Sequence, residues 1–462
     1  MAAQELKRDL KNRHVQLIAI GGTIGTGLFL GSGKSIHMAG PSIIFAYLII
    51  GVALFFVMRA LGELLLSNSG YSSFTDFAAE YIGPWAGFVT GWTYWFCWIM
   101  TAMADIIAVG MYMQYWFDIP QWIPAIACLV ILLGLNLLTV KLFGELEFWF
   151  AIIKVVTIVT LIVVGIMMIV IGFKTDTGTA ALSNIWSFDG MFPNGASGFL
   201  FSLQLVVFSF VGVELVGVTA AETANPKKNI PSAINKIPMR ILLFYVGALA
   251  VILCINPWNQ LDASSSPFVE VFTLIGIPVA AGIINFVVLT SAASACNSGL
   301  FSTSRMLFTL SKDENAPSKL AKLNRHAVPS NALFTSTIVV SIGALLSKVI
   351  PEQAFTIVTT ISAICFIWVW SMILISHIIY KKRRPDLHAK STFKAPLTPF
   401  INYAVLALFA FILIVMLFSD ATRLPLLLTP IWFAVLVALY QFYKKDRNAL
   451  PNIEIAEHVS AK

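Results

Sequence analysis

The stretch Ile20-Gly-Gly-Thr-Ile-Gly-Thr-Gly-Leu-Phe-Leu-Gly-Ser-Gly33 decides how this chain is read. It lies inside the first long apolar run, yet six of its fourteen residues are glycine. Glycine costs about 1 kcal/mol relative to alanine within a helix. Backbone at membrane depth must be satisfied internally, and irregular backbone is tolerated there only where it faces protein or a watery cavity. A glycine-rich interruption in an apolar run therefore marks a place where something other than lipid meets the backbone.

The rest of the chain supports a membrane setting. Its 462 residues are 58% hydrophobic and 11% charged, with a mean hydropathy of +0.84. Soluble proteins carry about 25% charge, and a spanning helix needs about 20 apolar residues. Hydropathy and turn signals predict twelve apolar runs: 16–37, 42–66, 85–116, 121–140, 148–173, 195–221, 238–257, 273–302, 332–349, 354–380, 400–418 and 424–443. The expected fold class is an all-α polytopic membrane protein. The five cysteines all fall in apolar runs and read as buried free thiols.

The basic residues orient these runs. With the N-terminus in the cytoplasm, 24 of the 30 Lys and Arg lie on the cytoplasmic side, four on the other side, and Arg59 and Lys154 within runs. This positive-inside bias puts both termini in the cytoplasm and accounts for the net charge of +7 without a nucleic acid. The basic N-terminal segment reads as a tail rather than a cleaved signal.

A second interruption occurs in Phe208-Ser-Phe-Val-Gly-Val-Glu-Leu-Val-Gly217, in run 6. An offset of five helices inverts the second copy relative to the first. The expected organisation is a cytoplasmic tail (1–15), a five-helix repeat (16–173), an inverted five-helix repeat (195–380), a basic cytoplasmic loop (381–399), two added helices (400–443) and a cytoplasmic tail (444–462). Interrupted helices at matching positions of inverted repeats are the sequence pointer to a transporter's binding site.

An interrupted helix frees N–H groups that attract an anion and carbonyls that attract a cation. Two such helices side by side cradle a small zwitterion, such as an α-amino acid. Gly25 and Gly27 let a ligand approach the backbone, and the Thr26 hydroxyl adds a donor beside the Gly27 amide. The same small residues also fit close helix packing. Phe208 and Phe210 border the second break, as lid or as core. The aromatic run Trp92–Trp98 is read as packing rather than as a pocket wall.

Ionisable residues inside the runs are costly and call for a reason. Lys154 has no acid close by in sequence, and lies about 9–10 Å into run 5 by helical rise. It reads as a buried amine that loads and releases a proton; the alternative is snorkelling to the cytoplasmic interface. Glu214 follows the break in run 6 and reads as a lock, a proton acceptor or a structural hydrogen bond. Asp105, in run 3, is a candidate for the transport pathway or for a packed polar bond. Arg59 and Glu63, four residues apart, are expected to neutralise each other. Glu145 and Glu147 are expected in an interfacial loop. No nucleotide-binding, metal-ligand, nucleophile-elbow or channel-filter motif is found, so neither an enzyme nor a metal site is expected.

At Gly25-Thr26-Gly27, Phe210-Val-Gly-Val-Glu214 and Ala220-Ala-Glu-Thr-Ala-Asn-Pro-Lys-Lys228 the chain resembles the amino acid–polyamine–organocation superfamily. Arg59–Ser67, Phe143–Ala151 and Ser291–Gly299 extend the likeness to its bacterial amino acid transporter branch. The resemblance implies a 5+5 inverted-repeat fold with twelve helices and proton symport, with no cofactor besides the proton gradient. It implies a substrate site at Thr23, Ile24, Gly25, Thr26, Gly27, Phe208, Phe210, Val211 and Gly212. In that site Thr26 and the Gly27 amide hold the carboxylate, and carbonyls of Thr23, Phe208 and Val211 hold the ammonium. It implies proton coupling at Lys154, which takes the sodium position of sodium-driven relatives, and at Glu214. Relatives more often carry Glu where this chain has Asp105. Small neutral amino acids (glycine, D-alanine, D-serine) are the implied substrates, with proline, threonine or exchange as alternatives. The expected partners are the amino acid, protons and the lipid bilayer, the expected site is the bacterial inner membrane, and a monomer is expected.

Overall fold

A computed structural model of the chain describes residues 24–68, 73–138, 140–215, 225–263, 265–276 and 278–449. Thr23, the tails before it and after 449, and most of the 220–228 motif lie outside the described residues.

The described chain begins with a turn of helix, α1 (Thr26–Phe29), that continues past Leu30 into α2 (Gly31–Ala39). Gly40, at φ +61°, and Pro41 turn the chain into α3 (Ile43–Ser67). A capping box between Ser73 and Asp76 starts α4 (Phe74–Tyr81). Gly83 and Pro84 then open α5 (Pro84–Met113), which is followed by α6 (Trp122–Leu138) and α7 (Val140–Ile171). A two-stranded hairpin, β1 (Lys174–Thr175) with β2 (Gly178–Thr179), leads to α8 (Gly195–Ser209).

Next come α9 (Pro226–Asn235), α10 (Ile237–Arg240), a π-helical segment (Ile241–Gly247) and α11 (Ala248–Ile255). The chain then forms α12 (Pro267–Leu274), α13 (Pro278–Lys312), α14 (Ser330–Val349), α15 (Pro351–Arg383), α16 (Pro385–Lys390), α17 (Phe400–Met416) and α18 (Asp420–Ala449). Among the described residues, eight helical stretches are long and apolar enough to cross a membrane, and α6, α8 and α17 are shorter apolar helices.

The centre of the bundle is α5, which packs against α13, α15, α4, α14 and α6. Its run of small and aromatic residues is almost wholly buried, including Trp98 and Tyr94. By contrast α7 exposes Trp149, Val156, Val163, Val170 and Ile171, and α18 exposes Leu424, Leu427 and Ile431. Contiguous exposed apolar side chains on helices of this length match a lipid-facing surface.

Several boundaries differ from expectation. Run 8 was expected at 273–302, but α13 continues to Lys312. Arg305, expected in a loop, is therefore buried in that helix with its guanidinium over the Phe301 ring. Run 5 was expected to begin at 148, but α7 begins at Val140, so Glu147 is helical and buried rather than interfacial. Polar residues at the mouth of an apolar run can extend the helix when a neighbouring helix supplies their partners.

Arg59 and Glu63 stay within electrostatic reach of each other but make no direct salt bridge among the described residues. Glu63 instead meets His377 Nε2 at 3.0 Å, His388 Nδ1, and the Ala395 amide at 2.7 Å. Arg59 turns to Asn235 at 3.0 Å, to the Lys394 carbonyl, and over the Phe393 ring. Both side chains thus fasten the segment after α15 onto the end of α3, and tertiary partners replace the local one. The cysteines are free thiols, four of them buried.

Candidate functional site

Two helix ends meet inside the bundle. Gly25 is extended and precedes α1, so the amides of Thr26 and Gly27 start a helix that gives them no carbonyl partner. From the other side, α8 stops at Ser209 and the chain folds into tight turns through Glu214, with Gly212 at φ +98°. An L-residue rarely adopts that conformation, and glycine does so freely. The two helix ends touch: a Cβ on Gly27 would lie 2.5 Å from the Ser209 Cα. Only a residue without a side chain fits that contact.

Beside it is a cavity of about 20 Å³ lined by Gly25, Thr26, Gly27, Trp98, Thr101, Asp105, Phe208, Ser209, Val211 and Ala295. That volume takes about one water, so the cavity is too small for an amino acid and the helix ends must separate to admit one. At its edge the Thr26 hydroxyl donates to Asp105 Oδ1 at 2.7 Å. The hydroxyl expected to meet a substrate carboxylate is thus already committed, leaving the Gly27 amide as the available donor of that pair. Asp105 Oδ2 is buried and has no hydrogen-bond partner among the described residues.

The cavity brings together Gly25, Thr26, Gly27, Phe208, Val211 and Asp105 of the expected residues. The Phe208 carbonyl also closes the turn by accepting from the Val211 amide at 3.1 Å. Ile24 is buried nearby, its carbonyl accepting from Ser291 at 3.2 Å. Phe210 does not line this cavity; it stacks on Tyr245 at 4.7 Å and leans on Tyr47. Tyr245 donates to the Ser209 carbonyl and Tyr47 bonds the Ser209 hydroxyl, so this aromatic group holds the end of α8.

Sequence reasoning missed Trp98, Thr101, Ser209 and Ala295. Trp98, Thr101 and Asp105 are spaced i, i+3, i+7, and that helical face was a readable signal. Trp92 and Trp95 of the same aromatic run bond Asn315 and Ser336 instead, which is the packing role expected for the whole run.

Glu214 and Gly212 lie just behind the cavity. The Glu214 carboxylate is fully buried and accepts from the Gly212 amide at 3.2 Å and the Tyr94 hydroxyl at 3.4 Å, so it braces the turn that ends α8. Lys154 does not snorkel; it is 1% exposed and donates to Ser294 Oγ at 3.1 Å. An acid does accompany it, seven residues earlier on the same face of α7. Glu147 accepts from Ser294 Oγ at 2.8 Å and from Asn297 Nδ2 at 2.8 Å.

Apolar helices packed around a small cavity between two helix ends, to which Thr26, Thr101, Asp105 and Ser209 bring polar groups, are an arrangement by which a membrane protein can meet a small polar solute. A family model described as "Amino acid permease" matches residues 14–450. The chain belongs to this amino acid permease family, of the amino acid–polyamine–organocation superfamily; it is a membrane-spanning permease and not an enzyme. It is similar to the amino-acid permease AapA of Bacillus subtilis, at 61% identity over 439 residues and 95% of each chain. It is 59% identical over 442 residues to the uncharacterized transporter YdgF of Bacillus subtilis, covering 96% of each chain. It is also 55% identical over 452 residues to the D-serine/D-alanine/glycine transporter of Escherichia coli K12, covering 97% of this chain and 96% of that protein.

Proposed function

We propose that this permease is a proton-coupled importer of small neutral amino acids, with glycine, D-alanine and D-serine as its substrates. It works by alternating access in a bacterial inner membrane, with both termini in the cytoplasm. The chain crosses the membrane twelve times, as two inverted five-helix repeats (16–173 and 195–380) followed by two further helices (400–443). Spans 1, 2, 6 and 7 move against the remainder of the 5+5 core.

The observation that carries this reading is the apposition of the two helix ends at Gly27 and Ser209 beside a small cavity to which Thr26, Thr101, Asp105 and Ser209 bring polar groups. The Gly27 amide takes the substrate carboxylate, and the carbonyls of Thr23, Phe208 and Val211 take the ammonium. Trp98 and Phe208 bound the cavity and leave little room for a large side chain, which favours glycine, alanine and serine. The likeness to a D-serine/D-alanine/glycine transporter supports the same substrates. Backbone recognition of a zwitterion is indifferent to chirality, so the D preference rests on that likeness.

Lys154 carries the coupling proton beside the break in span 1, and Glu214 holds the break in span 6. Proton and substrate each favour the same closed state, which links gradient to uptake. Because the name of AapA, also similar, singles out no particular amino acid, and a probable threonine/serine transporter of Bacillus subtilis is 45% identical, a permease for proline or threonine, or an exchanger, is the second reading. The test is uptake into proteoliposomes with an imposed pH gradient, with labelled D-alanine competed by a panel of amino acids. Accumulation that follows the gradient and yields to glycine and D-serine supports the proposal. Uptake indifferent to the gradient, or displaced only by other amino acids, sinks it.

A further inference from the structure

Glu147 lies outside the cavity, yet it is 2% exposed, fully hydrogen-bonded, and joined to Lys154 through a single hydroxyl. We propose that Glu147 is a second proton-carrying group of the transport cycle, exchanging a proton with Lys154 through Ser294 Oγ. This rests on the reading of Lys154 as the coupling amine.

The geometry is that of a relay. Ser294 Oγ accepts from Lys154 Nζ at 3.1 Å and donates to Glu147 Oε2 at 2.8 Å. A serine hydroxyl can accept and donate at once, which is what handing on a proton requires. In the transfer an Nζ–H bond of the ammonium breaks as Ser294 Oγ gains that proton. The original Oγ–H proton then forms a new O–H bond on Glu147 Oε2. The ammonium and carboxylate become a neutral amine and a neutral acid, and the serine is regenerated. The network's net charge is unchanged, so the exchange avoids stranding an unpaired charge in a dry interior.

The remaining contacts hold Glu147 in place for this. Its Oε1 accepts from Asn297 Nδ2 at 2.8 Å, and Asn297 Oδ1 in turn accepts from Asn136 Nδ2 at 2.6 Å. The same turn of α13 carries Ser291, bonded to the Ile24 carbonyl, and Ala295 on the cavity wall. One stretch of helix therefore touches the first break, the cavity and the relay, so movement of the break is felt at Ser294. Glu147 sits about 10 Å nearer the start of α7 than Lys154 by helical rise, which is the cytoplasmic end in the orientation proposed above. It is placed to receive the proton that Lys154 releases inward. The other ionisable groups facing this region are Asp105, within electrostatic reach of Lys154, and Tyr112, Cys128 and Cys296, which face Asp105.

The experiment compares wild type with Glu147→Gln, Ser294→Ala, Ser294→Thr and Lys154→Ala in proteoliposomes. The probe is labelled glycine, D-alanine or threonine, whichever wild type takes up. Two readouts are taken: accumulation driven by a pH gradient, and counterflow exchange at equal pH, which needs binding and alternation but no net proton movement. Glu147→Gln is expected to lose driven accumulation by about tenfold or more while counterflow stays within about twofold of wild type. Ser294→Ala is expected to behave alike, and Ser294→Thr, which keeps the hydroxyl, to recover. Driven accumulation by Glu147→Gln equal to wild type overturns the inference. So does an equal loss of counterflow in a monodisperse, folded variant, which makes Glu147 structural. If wild type exchanges substrate but ignores the gradient, the coupling reading itself fails and takes this inference with it. If wild type is driven, Lys154→Ala is not and Glu147→Gln is, only this inference falls.

Discussion

The Thr26 hydroxyl donates to Asp105 Oδ1 at 2.7 Å, joining α1 to the central helix α5, 79 residues away. Both residues are buried and both line the cavity. The bond ties the proposed moving part to the proposed fixed part at the point where the substrate would sit. Its loss would leave a buried carboxylate without either hydrogen bond.

Thr26→Val keeps the shape and removes the donor. An unsatisfied buried acceptor costs about 1–3 kcal/mol, more for a charged group. Uptake is expected to fall severely and thermal stability in detergent to drop by that amount. Thr26→Ser, which restores the hydroxyl, should stay near wild type in both assays. Equal behaviour of the Val and Ser variants would remove the bond from the mechanism.

Gly27→Ala places a methyl group against the Ser209 backbone, which cannot move aside as a flexible side chain would. Overpacking of this kind costs about 1–3 kcal/mol, and here it also forces the two breaks apart. Substrate exchange is expected to vanish in protein that still reaches the membrane. Gly134→Ala is the control, since nothing lies within 4 Å of its added Cβ; it should transport normally.

Glu63 holds His377, His388 and the Ala395 amide at once. Glu63→Ala leaves His377 Nε2, His388 Nδ1 and the Ala395 amide without their shared acceptor, a loss on the order of 3 kcal/mol. The segment from α16 to α17 should then detach, and tryptic cleavage at Lys390 and Lys394 should accelerate markedly over wild type. Unchanged cleavage would show that the apolar contacts of Phe393 suffice.

Glu270, in the short helix α12 outside the long apolar stretches, accepts from the Asp262 amide at 3.2 Å and from the Ser265 hydroxyl. Burial pushes its carboxyl above the ordinary value of 4.5, and these hydrogen bonds only partly oppose that. A folded-state value raised above the unfolded one favours the fold when the group is protonated. Its contribution is full below the ordinary value and is lost as pH rises through the raised one. Hydrogen exchange in the 258–274 segment should therefore show protection at low pH that declines as the pH rises past that range, and Glu270→Gln should flatten the decline.

Much of the architecture was legible in the chain itself. The run from Pro84 to Met113 was expected at 85–116, and the run from Pro351 to Arg383 at 354–380. The break after Ser209 was visible as glycine and an acid within an apolar run. What escaped was at the ends and on the shared faces. Glu147 looked like a loop residue because its partners, Ser294 and Asn297, lie about 150 positions away. Phe210 could be read as lid or as core because its stacking partner Tyr245 sits on a π-helical segment that no local pattern announced.

The sequence by itself determined that this chain is built of apolar helices, which of its apolar runs carry glycine-rich stretches, and which family it joins. These are local properties, since span length, glycine content and motif order need no neighbour to be read. Only the tertiary structure decided that Thr26 bonds Asp105, that the hydrogen bonds of Glu63 go to two imidazoles, and that Lys154 shares a hydroxyl with Glu147. A polar side chain removed from water must find its partner in space, and periodicity says which face it occupies without saying what lies opposite.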